Sequence, residues 1–85
     1  MTVRLFARLR ELAGDGAMAC ELPAGASVGD VWRAVATRHP ALEPFGRSVS
    51  CAVNEDFAPM QAPVHDGDEV AFLPPVSGGS AGRNA

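Results

Sequence analysis

The chain has 85 residues, 47% of them apolar, and a net charge of −3 at pH 7. That length admits one small domain, which buries only about 60% of the surface its unfolded chain exposes and so needs an efficient core. Scattered basic residues and a negative balance argue against nucleic-acid binding, and the apolar content argues against disorder.

The start, Met1-Thr2-Val3-Arg4-Leu5-Phe6-Ala7-Arg8, breaks its apolar residues with charges. It fits neither a signal peptide nor a membrane span, so a cytoplasmic location is expected. Val3, Leu5 and Ala7 alternate with Arg4, Phe6 and Arg8, the period-2 pattern of a strand with one buried face. Leu9 to Ala13 reads as a helical turn that Gly14 ends in a left-handed conformation. Asp15-Gly16 then turns the chain into a second strand, Ala17 to Leu22, which Pro23-Ala24-Gly25 breaks.

Ser27 opens the clearest element. Its hydroxyl caps a helix, and Asp30 three residues on suits the positive end of the helix dipole. Val28, Val31, Trp32, Val35 and Ala36 form one apolar stripe, with Arg33, Thr37 and Arg38 on the other side. Trp32 reads as the core anchor, and Pro40 closes the helix. Leu42 to Arg47 reads as a loop. Val49, Cys51 and Val53 alternate with Ser50, Ala52 and Asn54 in a third strand. A turn at Asn54-Glu55-Asp56 leads to Phe57 in a loop, and His65-Asp66-Gly67-Asp68 turns into a last strand, Glu69 to Leu73. Strands beside one packed helix in this order predict an α+β β-grasp, a mixed sheet with the helix across one face.

Little here supports chemistry by the chain alone. Cys20 and Cys51 sit in apolar alternating segments and read as buried, reduced thiols. His39 and His65 each lack a second metal ligand at helical or strand spacing, so no metal is expected. The acids Glu55, Asp56, Asp66, Asp68 and Glu69 cluster in two turns and read as a solvated rim. No nucleophile–base set or phosphate loop is present, and no enzyme is predicted.

The informative stretch is Asp66-Gly67-Asp68-Glu69-Val70-Ala71-Phe72-Leu73 running into Pro74-Pro75-Val76-Ser77-Gly78-Gly79. Pro74 and Pro75 favour extended backbone, and Gly78 and Gly79 remove side chains where the walls of a channel press closest. From Leu73 to Gly79 an extended chain reaches roughly 20 Å. The predicted division is a domain over 1–73, an arm over 74–79 and a Gly/Ser/Ala-rich extension over 80–85. If Val3, Leu5, Val53, Val70 and Phe72 face the helix, Phe6 and Leu73 face outward. Phe57 joins them from the loop, giving a docking patch that Arg10 flanks.

Leu9-Arg10-Glu11-Leu12-Ala13-Gly14, Ala52-Val53-Asn54, Asp66-Gly67-Asp68-Glu69-Val70 and the Pro74-to-Gly79 ending together resemble the sulfur-carrier subunits of molybdopterin synthase, ubiquitin-like β-grasp proteins. The resemblance spans Val3 to Gly79. It implies a carrier that is not catalytic alone and binds no cofactor. A partner activating enzyme spends ATP to adenylate the Gly79 carboxylate, and a sulfur donor converts it to a thiocarboxylate. The arm (Pro74, Pro75, Val76, Ser77, Gly78) then enters the large synthase subunit, where sulfur passes to a pterin precursor. Phe6, Arg10, Phe57 and Leu73 are the partner-binding residues on this reading.

In this sequence Gly79 is joined to Ser80 by an amide, which departs from the family ending. Ser80 to Ala85 reads as a precursor segment removed by a protease, a linker to a following domain, or an expression remnant. Two rival functions share the fold: a sulfur carrier for thiamine or cysteine synthesis, and an interaction or modifier domain whose tail is unreactive.

Overall fold

The computed structural model describes residues 1–75. Five strands and two α-helices alternate along it: β1 (Thr2–Leu5), α1 (Ala7–Ala13), β2 (Ala17–Ala19), α2 (Val28–Arg38), β3 (Ser50–Val53), β4 (Asp56–Phe57) and β5 (Glu69–Leu73). The strands form one mixed sheet in the order β2-β1-β5-β3-β4. β1 and β5 pair in parallel at its centre, and the other pairs are antiparallel. This is the β-grasp arrangement that the order of elements predicts.

The period-2 rule holds along both central strands. Val3, Leu5, Val70 and Phe72 are all at most 2% exposed, and they form the inner face of the sheet beneath α2. That helix buries Val28, Val31, Trp32, Val35 and Ala36. Trp32 meets Phe72 edge-on with ring centroids 5.0 Å apart, a geometry that aromatic quadrupoles favour. Ser27 and Asp30 form a complete capping box. The next free N–H groups of the helix are used too: Val28 donates to the Ala62 carbonyl and Gly29 to that of Met60. The loop before β5 is thereby tied to the start of α2.

Four local expectations are corrected. Ala7 does not extend β1; its φ of 51° turns the chain sharply into α1. Polarity alternation cannot register such a left-handed residue. Pro40–Phe45 is a 3₁₀ helix rather than a loop, and Leu42 on it is fully buried against the core. Its two large apolar residues, Leu42 and Phe45, are too few to show a period. Phe57 lies in β4 rather than a loop. Asn54 and Glu55, both at positive φ, make the two-residue connection whose twist suits a tight hairpin. β2 ends at Ala19, short of Leu22. As the sequence predicts, Gly14 ends α1 in the left-handed region, at φ 77°.

Candidate functional site

With one face of the sheet covered by α2, the opposite face carries the remaining side chains of the central strands. The register aligns Ala17, Arg4, Ala71, Ala52 and Phe57 in one row across all five strands. The next row toward the end of β5 holds Ser50 opposite Leu73. Phe6 continues the extended backbone of β1 beside it, its N–H donating to the Phe72 carbonyl at 3.3 Å. Phe6 and Phe57 are the large apolar residues that stand exposed among the described residues, at 40% and 82%. Leu73 between them is half-buried. At about 4.8 Å per strand, Phe6 at the end of β1 and Phe57 on β4 lie roughly 15 Å apart with β5 and β3 between them.

Charges frame this patch. The Arg4 guanidinium lies 5.9 Å from the centre of the Phe6 ring and 3.4 Å from the Glu69 carboxylate on the neighbouring strand. Arg4 was not singled out in the sequence, although the alternation that turns Phe6 outward does the same for Arg4. Arg10, on α1, lines a shallow cleft with Arg4, Phe6, Asp15 and Gly16. A Cβ on Gly16 would sit 3.0 Å from Arg10 Nε, so the absent side chain lets Arg10 lie close against the turn. Of the residues expected at the site, the fold therefore groups Phe6, Leu73 and Phe57 on one face, with Arg10 at its margin.

The arm starts on the same strand. Pro74, half-buried, and Pro75, exposed, follow Leu73 directly. Val76, Ser77, Gly78 and Gly79 lie outside the described residues.

At the other end of β5 a polar network fixes the strand. The Asn54 amide donates to Asp68 at 2.9 Å and its carbonyl accepts the Glu69 N–H at 3.0 Å. The His65 N–H donates to the second Asp68 oxygen at 2.8 Å. These bonds, the Asn54 amide first, hold the Asp68 carboxyl below its usual range. Asp68 is thus part of a structural tie between two turns rather than a free rim charge. Cys20 and Cys51 are both unpaired and buried, and burial pushes the Cys51 thiol up. No cluster of three or more His, Cys, Asp or Glu that could hold a metal occurs among the described residues. No helix there is long and apolar enough to cross a membrane. The arrangement suits docking and presentation of the arm.

Residues 3–79 match the model of the ThiS family. The chain belongs to the ThiS family. A ThiS-family relative, the molybdopterin synthase sulfur carrier subunit of Chlamydomonas reinhardtii, is 38% identical over 79 residues, covering 91% of this chain and 95% of its own. Among solved structures, the small archaeal modifier protein 1 of Haloferax volcanii superposes with a TM-score of 0.82 at 36% identity, covering 92% of this chain and 97% of its own. A chain in the complex of subunits 1 and 2 of molybdopterin-converting factor from Helicobacter pylori shares the fold, with a TM-score of 0.63 at 23% identity, covering 92% of this chain and 96% of its own.

Proposed function

We propose that this protein is a sulfur carrier in molybdopterin synthesis, acting as the small subunit of a synthase and not catalytic alone. The observation that carries the reading is the continuity of Phe6, Leu73 and Phe57 on one open sheet face with the strand that launches the Pro74-Pro75 arm. Similarity to a sulfur carrier subunit over most of both chains supports it. The open face docks on the large subunit while the arm reaches into that subunit's site. The subunit complex known for the Helicobacter pylori factor supports such a partner.

The chemistry follows from what a carboxylate lacks. Hydrolysis of the Gly79–Ser80 amide by a protease frees the Gly79 carboxylate. That carboxylate attacks the α-phosphate of ATP on the activating enzyme, releasing pyrophosphate and making an acyl-adenylate. A sulfur nucleophile then displaces AMP, leaving a thiocarboxylate with one sulfur to give. The reaction needs no side chain of this domain, only reach and a narrow arm.

The deciding measurement is the mass of the C-terminal peptide from protein isolated from its own host. A peptide ending at Gly79 with sulfur in place of one oxygen, localised to distinguish it from methionine oxidation, is the expected result. Protein whose Gly79–Ser80 bond is never cut would sink the carrier reading. The likeness to a small archaeal modifier protein favours a second reading, attachment of the Gly79 carboxyl to another protein. On that reading the host contains larger species that release this chain on digestion.

A further inference from the structure

We infer that Asn54 is a positioning residue for docking: its side chain ties the β3–β4 hairpin to β5 and so fixes where Phe57 stands relative to Phe6 and Leu73. The inference rests on the docking face proposed above, and it starts from a difficulty in that face. Phe57 is 82% exposed, so packing does not hold its ring. β4 is two residues long and lies at the edge of the sheet, paired with β3. A strand pair this short is marginal by itself. Yet an anchor contributes most when it already stands in place before the partner arrives.

The tip of the hairpin supplies what β4 lacks. Asn54 lies at φ 51°, in the left-handed region. Its main-chain N–H still continues the β3–β5 ladder, donating to the Glu69 carbonyl at 2.8 Å. The return bond goes to the side chain: the Glu69 N–H donates to Asn54 Oδ1 at 3.0 Å. Asn54 Nδ2 then donates to Asp68 Oδ1 at 2.9 Å. The Asp68 side chain is itself held, 17% exposed, with its second oxygen accepting the His65 N–H at 2.8 Å. Three hydrogen bonds therefore join one tip residue to the start of the central strand.

These demands select among residue types at position 54. Glycine meets the backbone requirement and carries nothing to bond. Aspartate tolerates the left-handed region and can accept from Glu69, but it has no donor and sets a second carboxylate against Asp68. Asparagine supplies the backbone, the acceptor and the donor together. A turn wanted for its shape alone is served as well by glycine, so Asn54→Gly separates the shape of the turn from the tie.

Without the tie the hairpin pivots on the β3–β4 pairing and the Phe57 ring samples several positions. Leu73 and Phe6 keep theirs, because β1 and β5 pair with each other away from the tip. If the docking position is held in about a tenth of molecules, the dissociation constant rises about tenfold.

Two arms test this, both on the full chain. In the first, amide hydrogen exchange is followed by NMR in the native protein and in Asn54→Gly. The Ala58 N–H donates to the Cys51 carbonyl at 2.9 Å; it lies one residue past Phe57 and reports whether β4 stays on β3. It is expected to exchange at least about tenfold faster in Asn54→Gly, as local opening allows. The Leu5 N–H, bonded to the Gly16 carbonyl at 3.0 Å on the far side of the sheet, keeps its native rate. An unchanged Ala58 rate, or an equal acceleration at Leu5, would overturn the inference.

In the second arm, binding to the large subunit of molybdopterin synthase from the same host is measured by titration calorimetry. Asn54→Gly and Asn54→Asp are each expected to bind about tenfold more weakly than the native chain. Combining Asn54→Asp with Asp68→Asn exchanges the amide and the carboxylate. The carboxylate then accepts from Glu69 and from the new amide, whose oxygen still accepts the His65 N–H, and affinity returns to within about twofold of native. In a Phe57→Ala background, Asn54→Gly costs less than about twofold more, because no ring remains to be placed. A full loss in that background, or an exchange no better than Asn54→Asp alone, would overturn the positioning role. No binding by the native chain would instead remove the docking reading, and the first arm still decides whether Asn54 holds the hairpin.

Discussion

Phe57 is four-fifths exposed on a two-residue edge strand, so little of its apolar surface is buried in the core. Replacing it with Asp is expected to leave unfolding free energy within about 0.5 kcal/mol while weakening capture by the large synthase subunit about thirtyfold or more, as loss of a central aromatic anchor does. Calorimetry and titration of the two proteins check both halves; undiminished capture would remove Phe57 from the patch. Gly79→Val belongs at this scale too. It should leave the melting temperature unchanged and abolish product formation if, as proposed, the arm enters a partner's channel where a Cβ would obstruct it.

Asp68 makes a prediction of opposite character. Its carboxyl is depressed by the Asn54 and His65 donors, so its stabilising effect is present above the unfolded value near 4 and lost as pH falls through the folded value. Asp68→Asn should melt lower than the native protein at pH 6, and the two should converge as the pH is lowered below about 4. A gap independent of pH would show that the charge of Asp68 contributes nothing.

Among the elements, α2 was the most legible, because cap, stripe and stop all agree: Ser27 and Asp30, then Val28 to Ala36, then Pro40. Ser27→Ala should cost about 1 kcal/mol by removing the cap, readable as a lower denaturant midpoint with unchanged slope. The Pro40–Phe45 helix was illegible for the reason that makes Leu42 interesting. One wholly buried leucine anchors six residues, and Leu42 with half-buried Phe45 is too short a pattern to show a period. Leu42→Ala should cost about 2–5 kcal/mol, more than its reading as loop cover would allow; a loss under about 1 kcal/mol would contradict the packing. The bend at Ala7 was hidden for a different reason. Backbone sign is invisible to a polarity pattern, and a non-glycine residue at positive φ costs roughly 1–2 kcal/mol where β1 gives way to α1 beside Phe6.

For the whole molecule, the order of elements sufficed to predict the β-grasp, because strands flanking a single amphipathic helix have few ways to bury its stripe. The docking face was partly legible. Alternation turned Phe6 and Leu73 outward, but Phe57 reached the same face only through the Asn54–Glu55 hairpin, which lacks the glycine that usually announces such a turn. Arg4 was passed over because a charged residue in an alternating strand looks like ordinary solvated surface.

The parallel pairing of β1 with β5 has a consequence for the birth of the protein. β5 lies at the centre of the sheet, yet it is the last strand to be synthesised. Until Leu73 has left the ribosome, Val3 and Leu5 have no neighbour on that side, and α2 has no Phe72 to pack against. The pairings of β5 with both β1 and β3 wait for that strand, which delays folding until it has emerged. A chain broken off before Leu73 therefore lacks the strand that completes the sheet between β1 and β3, and the docking face proposed for it is never assembled.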